Sequence, residues 1–276
     1  MKKVVFLISV LLLLCSCGGK TSNFKVGYSS NIITSNEKKE LRKIFEDNNI
    51  SNVDLFFKWL EDFNKEEDMG CGIKSNDKTN NFVYNESSCV DRYEKNHDMM
   101  DGNCRITAYA LIQNIISNNT PKKEEYGSYL MFDIDVLENN KDYKEINKNQ
   151  LEFINIFNEM DVSKVDKKDY KNVFPNKLKD NNINFKKSKV SLISVVLNDS
   201  EFNTLFVGHA GVLIDLNDKY LFVEKIAFEQ PYQISVIKTK KDLPNLFKNR
   251  LSYFGDGSEQ GPYIYENDKL IYEYEW

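Results

Sequence analysis

The sequence has no excess of basic residues and no hydrophobic run long enough to cross a membrane. Its 276 residues contain 37 Lys and Arg against 42 Asp and Glu, which gives a formal net charge of −5. A chain of this charge offers no electrostatic footprint for nucleic acid and no polybasic patch for lipid headgroups. The apolar run at residues 4–14 is too short for a membrane-spanning helix, which needs about 20 apolar residues.

Histidine is also scarce, since only His97 and His209 occur. His97 lies in a charged, loop-like stretch, where a solvated side chain is expected. An alternative zinc site would combine His97 with Cys71, Cys89 and Cys104, but these residues lack the C-x₂₋₄-C spacing typical of structural zinc sites. We therefore predict no metal and no cofactor.

The N-terminal residues have the pattern of a bacterial lipoprotein signal. Two lysines precede the apolar run, and Leu14-Cys15-Ser16-Cys17 resembles a lipobox, although a cysteine is unusual at its middle position. We expect residues 1–16 to be a signal peptide and residues 17–35 a flexible tether. Cys17 would then carry the lipid that holds the protein on the extracytoplasmic face of the cell membrane. A cleaved, unlipidated secretory signal is the alternative.

The cysteine count bears on which thiol is free. If Cys17 is acylated, Cys71, Cys89 and Cys104 remain, and an odd number leaves one thiol without a disulfide partner. Cys71 and Cys89 both lie in a long, loop-like stretch, and a disulfide between them would leave Cys104 free. Other pairings stay open on the sequence alone.

Cys104 stands at the start of a strongly apolar stretch, residues 104–116. Asn103 is a suitable N-cap, because its side-chain oxygen can accept a backbone N–H of the first helical turn. The helix dipole and the free N–H groups of that turn favour a thiolate. A helix that is apolar on most sides belongs in a core. The alternative is that Cys104 is simply a small buried residue.

The remainder of the chain predicts one α+β domain over residues 36–276, with helices first and an antiparallel sheet second. A helix is expected at 36–47, and a second carries the apolar face of Leu55, Phe56, Trp59, Leu60 and Phe63. A helical insertion follows at about 121–188, and an active-site loop is expected at 70–102. The predicted strands are 190–197, 205–215, 220–226 and 232–237, followed by a helix at 242–251 and a hairpin at 263–274.

The second histidine lies on one of these strands, and its expected partner is an acid. A turn at Asn217-Asp218 would pair Leu213 with Phe222 on the next strand. In that register His209 and Glu224 share a sheet face as diagonal neighbours, about 7–8 Å apart at Cβ. The absence of a side chain at residue 211 is expected to leave room beside His209 for the tip of the Cys104 helix.

This order of residues resembles that of papain-like cysteine peptidases. A helix-tip cysteine, a later strand histidine and a polar residue on the following strand match that superfamily. His209-Ala210-Gly211-Val212 is most similar to the His-x-Gly-[Val/Ile] strand of the NlpC-type branch, which cuts peptidoglycan peptides. Asn103-Cys104 stands where that branch has Asp-Cys. As a whole the chain also resembles an uncharacterised family of Gram-positive lipoproteins, which supplies no activity.

The resemblance implies a papain-like, NlpC-like fold and roles for five residues. Cys104 would be the nucleophile, His209 the general base and Glu224 the residue that orients the imidazole. The backbone N–H of Cys104 and the amide of Asn103 would hold the oxyanion. Arg105, expected to be exposed beside the helix tip, would lower the thiol pKa or bind a substrate carboxylate, with a surface ion pair as the alternative.

The expected function is therefore that of a surface-anchored cysteine peptidase or amidase acting on an amide bond in a peptide or in peptidoglycan. Two alternatives stay open. One is a non-catalytic binding lipoprotein of the same fold, in which Cys104 is buried or disulfide-bonded. The other is a transglutaminase-like enzyme, which would transfer the acyl group to an amine.

Overall fold

A computed structural model describes residues 22–32, 34–66, 100–118, 122–248 and 262–273. In this part of the chain, helices pack on a large antiparallel sheet, so the predicted α+β class is confirmed. No described helix combines the length and the apolarity that crossing a membrane requires. The helices are α1 (Ser35–Asp47), α2 (Val53–Glu66), α3 (Cys104–Ile112), α4 (Met131–Asn139), α5 (Lys144–Asn147), α6 (Gln150–Phe157), α7 (Tyr170–Asp180) and α8 (Leu243–Lys248). The strands are β1 (Ser29–Ser30), β2 (Ile116–Asn118), β3 (Met160–Asp161), β4 (Ile183–Phe185), β5 (Val190–Asp199), β6 (Thr204–Asp215), β7 (Tyr220–Lys225), β8 (Tyr232–Ile237), β9 (Tyr263–Glu266) and β10 (Lys269–Glu273).

The main sheet has the order β1-β8-β7-β6-β5-β9-β10, and β3 adds to β6. Its centre is the predicted series of consecutive strands β5 to β8, each antiparallel to the next. Both faces are covered, because alternate residues of β5 belong to different clusters: Leu192 and Val196 face the large core, while Ile193 and Val195 face a smaller one with α8. Burial on two sides explains why these strands are almost continuously apolar.

Helix α3 packs against the middle of this sheet and contacts β5, β6 and β7. Every one of its residues is buried, as its apolar sequence predicts for all of them except Arg105. The helix ends at Ile112, earlier than expected, because β2 forms a two-stranded ribbon with β4. Strand β2 precedes the helical middle region in the chain and β4 follows it. The described residues 122–182 of this region contain α4 to α7.

The prediction of a flexible tether over residues 17–35 is wrong for its described part. Ser29 and Ser30 form β1, which pairs with β8 at the edge of the sheet. The Lys219 ammonium donates hydrogen bonds to the carbonyl oxygens of Ser22 (2.8 Å) and Phe24 (2.6 Å). A two-residue strand of small polar side chains has no apolar periodicity, so the sequence gives no sign of this pairing.

Candidate active site

The start of α3 is built as the sequence predicts. The Asn103 side-chain oxygen accepts hydrogen bonds from the backbone N–H groups of Arg105 (3.0 Å) and Ile106 (3.2 Å). Cys104 is the first residue of the helix, is only 7% exposed and is a free thiol. Asn103 thus caps the backbone N–H groups of Arg105 and Ile106, not that of Cys104. The N–H groups of the first turn have no acceptor within the helix, so the backbone N–H of Cys104 can donate to a bound group.

The predicted register between β6 and β7 is confirmed, with Leu213 opposite Phe222. It brings His209 and Glu224 together on one face of the sheet. Nε2 of His209 lies 2.6 Å from Oε2 of Glu224, and both side chains are 0% exposed. A buried carboxylate at this distance fixes both the orientation and the tautomer of the imidazole.

The thiol of Cys104 lies beside the same imidazole, and the two groups stabilise each other's charged forms. Because Nε2 of His209 faces Glu224, Nδ1 is the ring nitrogen left to face the sulfur. The backbone N–H of Ala210 also favours the thiolate. Cys104, His209 and Glu224, which the sequence places 120 residues apart at their extremes, therefore stand in the order thiol, imidazole, carboxylate.

The helix tip reaches the sheet where β6 separates from β7. These strands pair only over Val212–Asp215 and Tyr220–Val223, although β6 itself begins at Thr204. The first two residues of β6, Thr204 and Leu205, pair with β3, and the start of α3 lies against the stretch between them and β7. There the Ala210 N–H favours the thiolate, and the carbonyl of Val207 accepts a hydrogen bond from Arg105 Nη1 at 2.8 Å.

The expected open space at Gly211 is not there. A Cβ at Gly211 would lie 2.4 Å from Cζ of Phe222 and 2.9 Å from the carbonyl oxygen of Val223. The Phe222 ring thus fills the space that the absent side chain provides. Gly211 serves packing within the sheet, and the helix tip approaches beside Ala210 instead.

Arg105 is buried rather than exposed, contrary to the sequence prediction, and its side chain is only 11% exposed. Its guanidinium forms an ion pair with Asp133 of α4, which is 0% exposed. Asn103 donates its side-chain N–H to the same carboxylate at 2.9 Å. The Asn103 amide is therefore engaged with Asp133 in this structure, and this arrangement does not offer it to an oxyanion.

Asp133 is the site residue that sequence reasoning missed. It lies 28 residues after Arg105 in α4, within the predicted helical insertion, for which no site residue was predicted. Acidic residues are common in this middle region, so residue type alone gave no signal. Only the fold shows that this carboxylate is buried against the cysteine helix.

The charges around the thiol favour a thiolate–imidazolium pair. Burial alone raises the pKa of Cys104, but the His209 imidazolium, the Arg105 guanidinium and the Ala210 N–H outweigh it and lower that pKa below its ordinary value. Burial also opposes the charged form of His209, yet Cys104 and Glu224 raise the pKa of His209 to about 9. Each partner thus stabilises the charged form of the other.

A family model described as a domain of unknown function, DUF4300, matches residues 28–271. The chain belongs to this family. The matched range runs from the residue before β1 into β10, so it includes Cys104, His209 and Glu224. No curated protein and no solved structure matches the chain.

Several predicted features lie outside the described residues. These are the signal peptide, the lipidation site Cys17, the cysteines Cys71 and Cys89, and His97. Most of the expected active-site loop, residues 70–99, lies there as well. Within the described ranges, no cluster of three or more His, Cys, Asp or Glu side chains could hold a metal ion.

The ion pair predicts a characteristic dependence of stability on pH. In an unfolded chain His has a pKa of about 6.5 and Cys about 8.5. The raised pKa of His209 gives stability that is present below about pH 6.5 and lost as the pH rises through about 9. The lowered pKa of Cys104 gives stability that is present above about pH 8.5 and lost as the pH falls through its folded value. Between about pH 6.5 and 8.5 the folded and the unfolded protein each hold one proton on Cys104 and His209 together. The contribution of these residues to stability therefore does not change with pH in this range.

We therefore expect the pair's contribution to the free energy of unfolding to be greatest and level between about pH 6.5 and 8.5. Urea unfolding of the wild type and of the double variant Cys104→Ala/His209→Gln, across pH 5 to 10, measures that contribution as a difference. Glutamine retains an N–H donor for Glu224. A difference that does not decrease as the pH rises from about 8 to 10 contradicts a charged His209.

Proposed function

We propose that this protein is a lipid-anchored cysteine peptidase or amidase of the papain-like type, closest to the NlpC branch. Cys104 is the nucleophile, His209 the general base and acid, and Glu224 the residue that orients the imidazole. One observation carries the proposal: the helix-tip thiol lies beside an imidazole whose Nε2 is 2.6 Å from a fully buried carboxylate. This order of nucleophile, base and orienting group is typical of nucleophilic cysteine catalysis.

The proposed reaction begins with the thiolate of Cys104. It attacks the carbonyl carbon of an amide, a C–S bond forms, and the carbonyl oxygen becomes an oxyanion near the Cys104 N–H. His209 then gives its proton to the leaving amine as the C–N bond breaks, which leaves a thioester. Water attacks the thioester with His209 as base, the C–S bond breaks, and the carboxylic acid product leaves. Glu224 stays ionised throughout and stabilises the imidazolium.

The substrate class follows from the proposed location. A lipid on Cys17 would hold the protein on the extracytoplasmic face of the membrane, where cell-wall peptides are available. The NlpC-type branch, which the His209 strand resembles, cuts such peptides. The net charge of −5 gives no reason to propose a nucleic-acid partner.

A second candidate is a non-catalytic lipoprotein that binds a peptide or a wall component. Burial is the observation that favours it, because Cys104 is 7% exposed and the side chains of His209 and Glu224 are fully covered. In that case the three residues would form a structural network. Catalysis instead requires that the thiol become accessible to a carbonyl group.

Peptide turnover distinguishes these functions. Purified protein beginning at Cys17 is incubated with peptides released from peptidoglycan, and the products are identified by mass spectrometry. A peptidase or amidase yields products that have gained one water, and both Cys104→Ala and His209→Ala abolish them. If added amines are incorporated in place of water, the reaction is transglutaminase-like. If peptides are bound without conversion, and equally by wild type and Cys104→Ala, the enzymatic proposal is wrong.

A further inference from the structure

The carboxylate of Asp133 connects two residues at the start of α3, Asn103 and Arg105. It accepts hydrogen bonds from Arg105 Nε (3.0 Å) and Nη2 (2.5 Å) and from the Asn103 side-chain amide (2.9 Å). Asn103 in turn caps the helix that begins with Cys104. One fully buried carboxylate thus holds the residues on both sides of the thiol.

The guanidinium of Arg105 is directed entirely into the protein. Besides Asp133, it donates to the carbonyl oxygens of Val207 (2.8 Å) and Tyr129 (3.0 Å). These four hydrogen bonds occupy all three nitrogens of the fork. Four of the five N–H groups of Arg105 are thus engaged inside the protein and its side chain is only 11% exposed, so its influence on the reaction is expected to be exerted on the adjacent thiol rather than on a substrate carboxylate. Arg105 does contribute to lowering the pKa of Cys104.

We infer that Asp133 is a positioning residue of the active site, holding the Arg105 guanidinium and the Asn103 cap in fixed places beside the Cys104 sulfur. The inference deepens the proposed function and rests on it. It gives the helical middle region a role in the reaction, since α4 supplies this carboxylate. Asp133 touches neither the thiol nor a substrate; it acts through its two neighbours.

The direction in which each variant shifts the pKa of the Cys104 thiol distinguishes a positioning role of Asp133 from a purely structural one. Arg105 stabilises the thiolate, and the negative charge of Asp133 opposes that effect. Removing the guanidinium must therefore raise the thiol pKa, whereas neutralising Asp133 with its shape retained must lower it. Loss of structure would instead separate Cys104 from His209 and raise the pKa in both variants. The other charges at the thiol, on His209 and Glu224, are unchanged in these variants.

The experiment is the pH dependence of iodoacetamide alkylation at Cys104, located by mass spectrometry on purified protein beginning at Cys17. We expect the midpoint to fall by about one pH unit in Asp133→Asn and to rise by about one unit in Arg105→Met. Arg105→Lys keeps the charge but loses the fork, so a smaller rise is expected. Glu152→Gln is the matched control: Glu152 accepts a hydrogen bond from Tyr109 of the same helix (2.9 Å), but lies away from the thiol, and no shift is expected.

A rise in Asp133→Asn, or no shift, overturns the inference. If Asp133→Asn does not fold, Arg105→Lys tests the inference instead. An alkylation midpoint equal to that of the wild type would show that the guanidinium held by Asp133 is not needed, and would overturn the inference. His209→Ala, measured in the same series, tests the proposed function separately. If His209→Ala leaves the profile unchanged, the catalytic pair is wrong, even where the Arg105 and Asp133 variants shift as expected.

Discussion

Replacing His209 with alanine is expected to slow the alkylation of Cys104 at pH 6 by about one to two orders of magnitude. Burial alone disfavours the thiolate, and the His209 imidazolium is the strongest of the groups that overcome it. An unperturbed thiol is less than about 1% ionised at pH 6. A thiolate of low pKa is intrinsically a weaker nucleophile, so the effect on the rate is smaller than the effect on ionisation.

The measurement is the rate of iodoacetamide incorporation at Cys104 between pH 5 and 9, again on protein beginning at Cys17. The wild type should react as a thiolate well below pH 8, and His209→Ala should require a higher pH. His97→Ala, which removes the only other histidine, is the control and should follow the wild type. Equally slow alkylation of wild type and His209→Ala would mean that no thiolate–imidazolium pair exists.

The parts of this site that the sequence predicted are those fixed by local rules. Asn103 caps α3 because a side-chain oxygen before a helix satisfies free N–H groups, whatever the rest of the fold. The His209–Glu224 contact followed from one turn, since Asn217 adopts a positive φ of 77° and its position sets the register of both strands. Hairpin register is determined by the turn between the strands.

The parts that the sequence did not predict depend on contacts between distant segments. The sequence suggested that Arg105 is exposed, because it interrupts an apolar stretch. The ion pair with Asp133 compensates for the burial of its charge. An isolated charge would not be buried there. Likewise, Gly211 suggested an open space that the ring of Phe222 occupies. In each case the deciding partner lies on another element, where sequence periodicity carries no information.

Replacing Cys17 with serine is expected to transfer the protein almost completely from the membrane fraction to the soluble fraction. In this interpretation the lipid proposed on Cys17 holds the processed protein on the membrane, because acyl chains give stable attachment. Fractionation of cells that produce the protein, followed by immunoblotting, measures the distribution. Cys15→Ser, two residues earlier, is the matched control and should stay with the membrane. Retention of Cys17→Ser in the membrane would contradict lipidation at this residue.

The fold also limits how far the domain can extend from a lipid on Cys17. Ser22 is bonded to Lys219 beside the β6–β7 turn, so five residues connect it to Cys17, at most about 18 Å. His209 lies seven residues from Leu216 along β6, about 23 Å. In a lipidated molecule the segment between the lipid and the first contact with the domain would therefore extend at most about 18 Å, whereas a flexible segment over residues 17–35 would extend about 60 Å. If Cys17 is lipidated as proposed, the site is held close to the membrane, and inserting 20 Gly/Ser residues after Gly19 should increase that distance without releasing the protein.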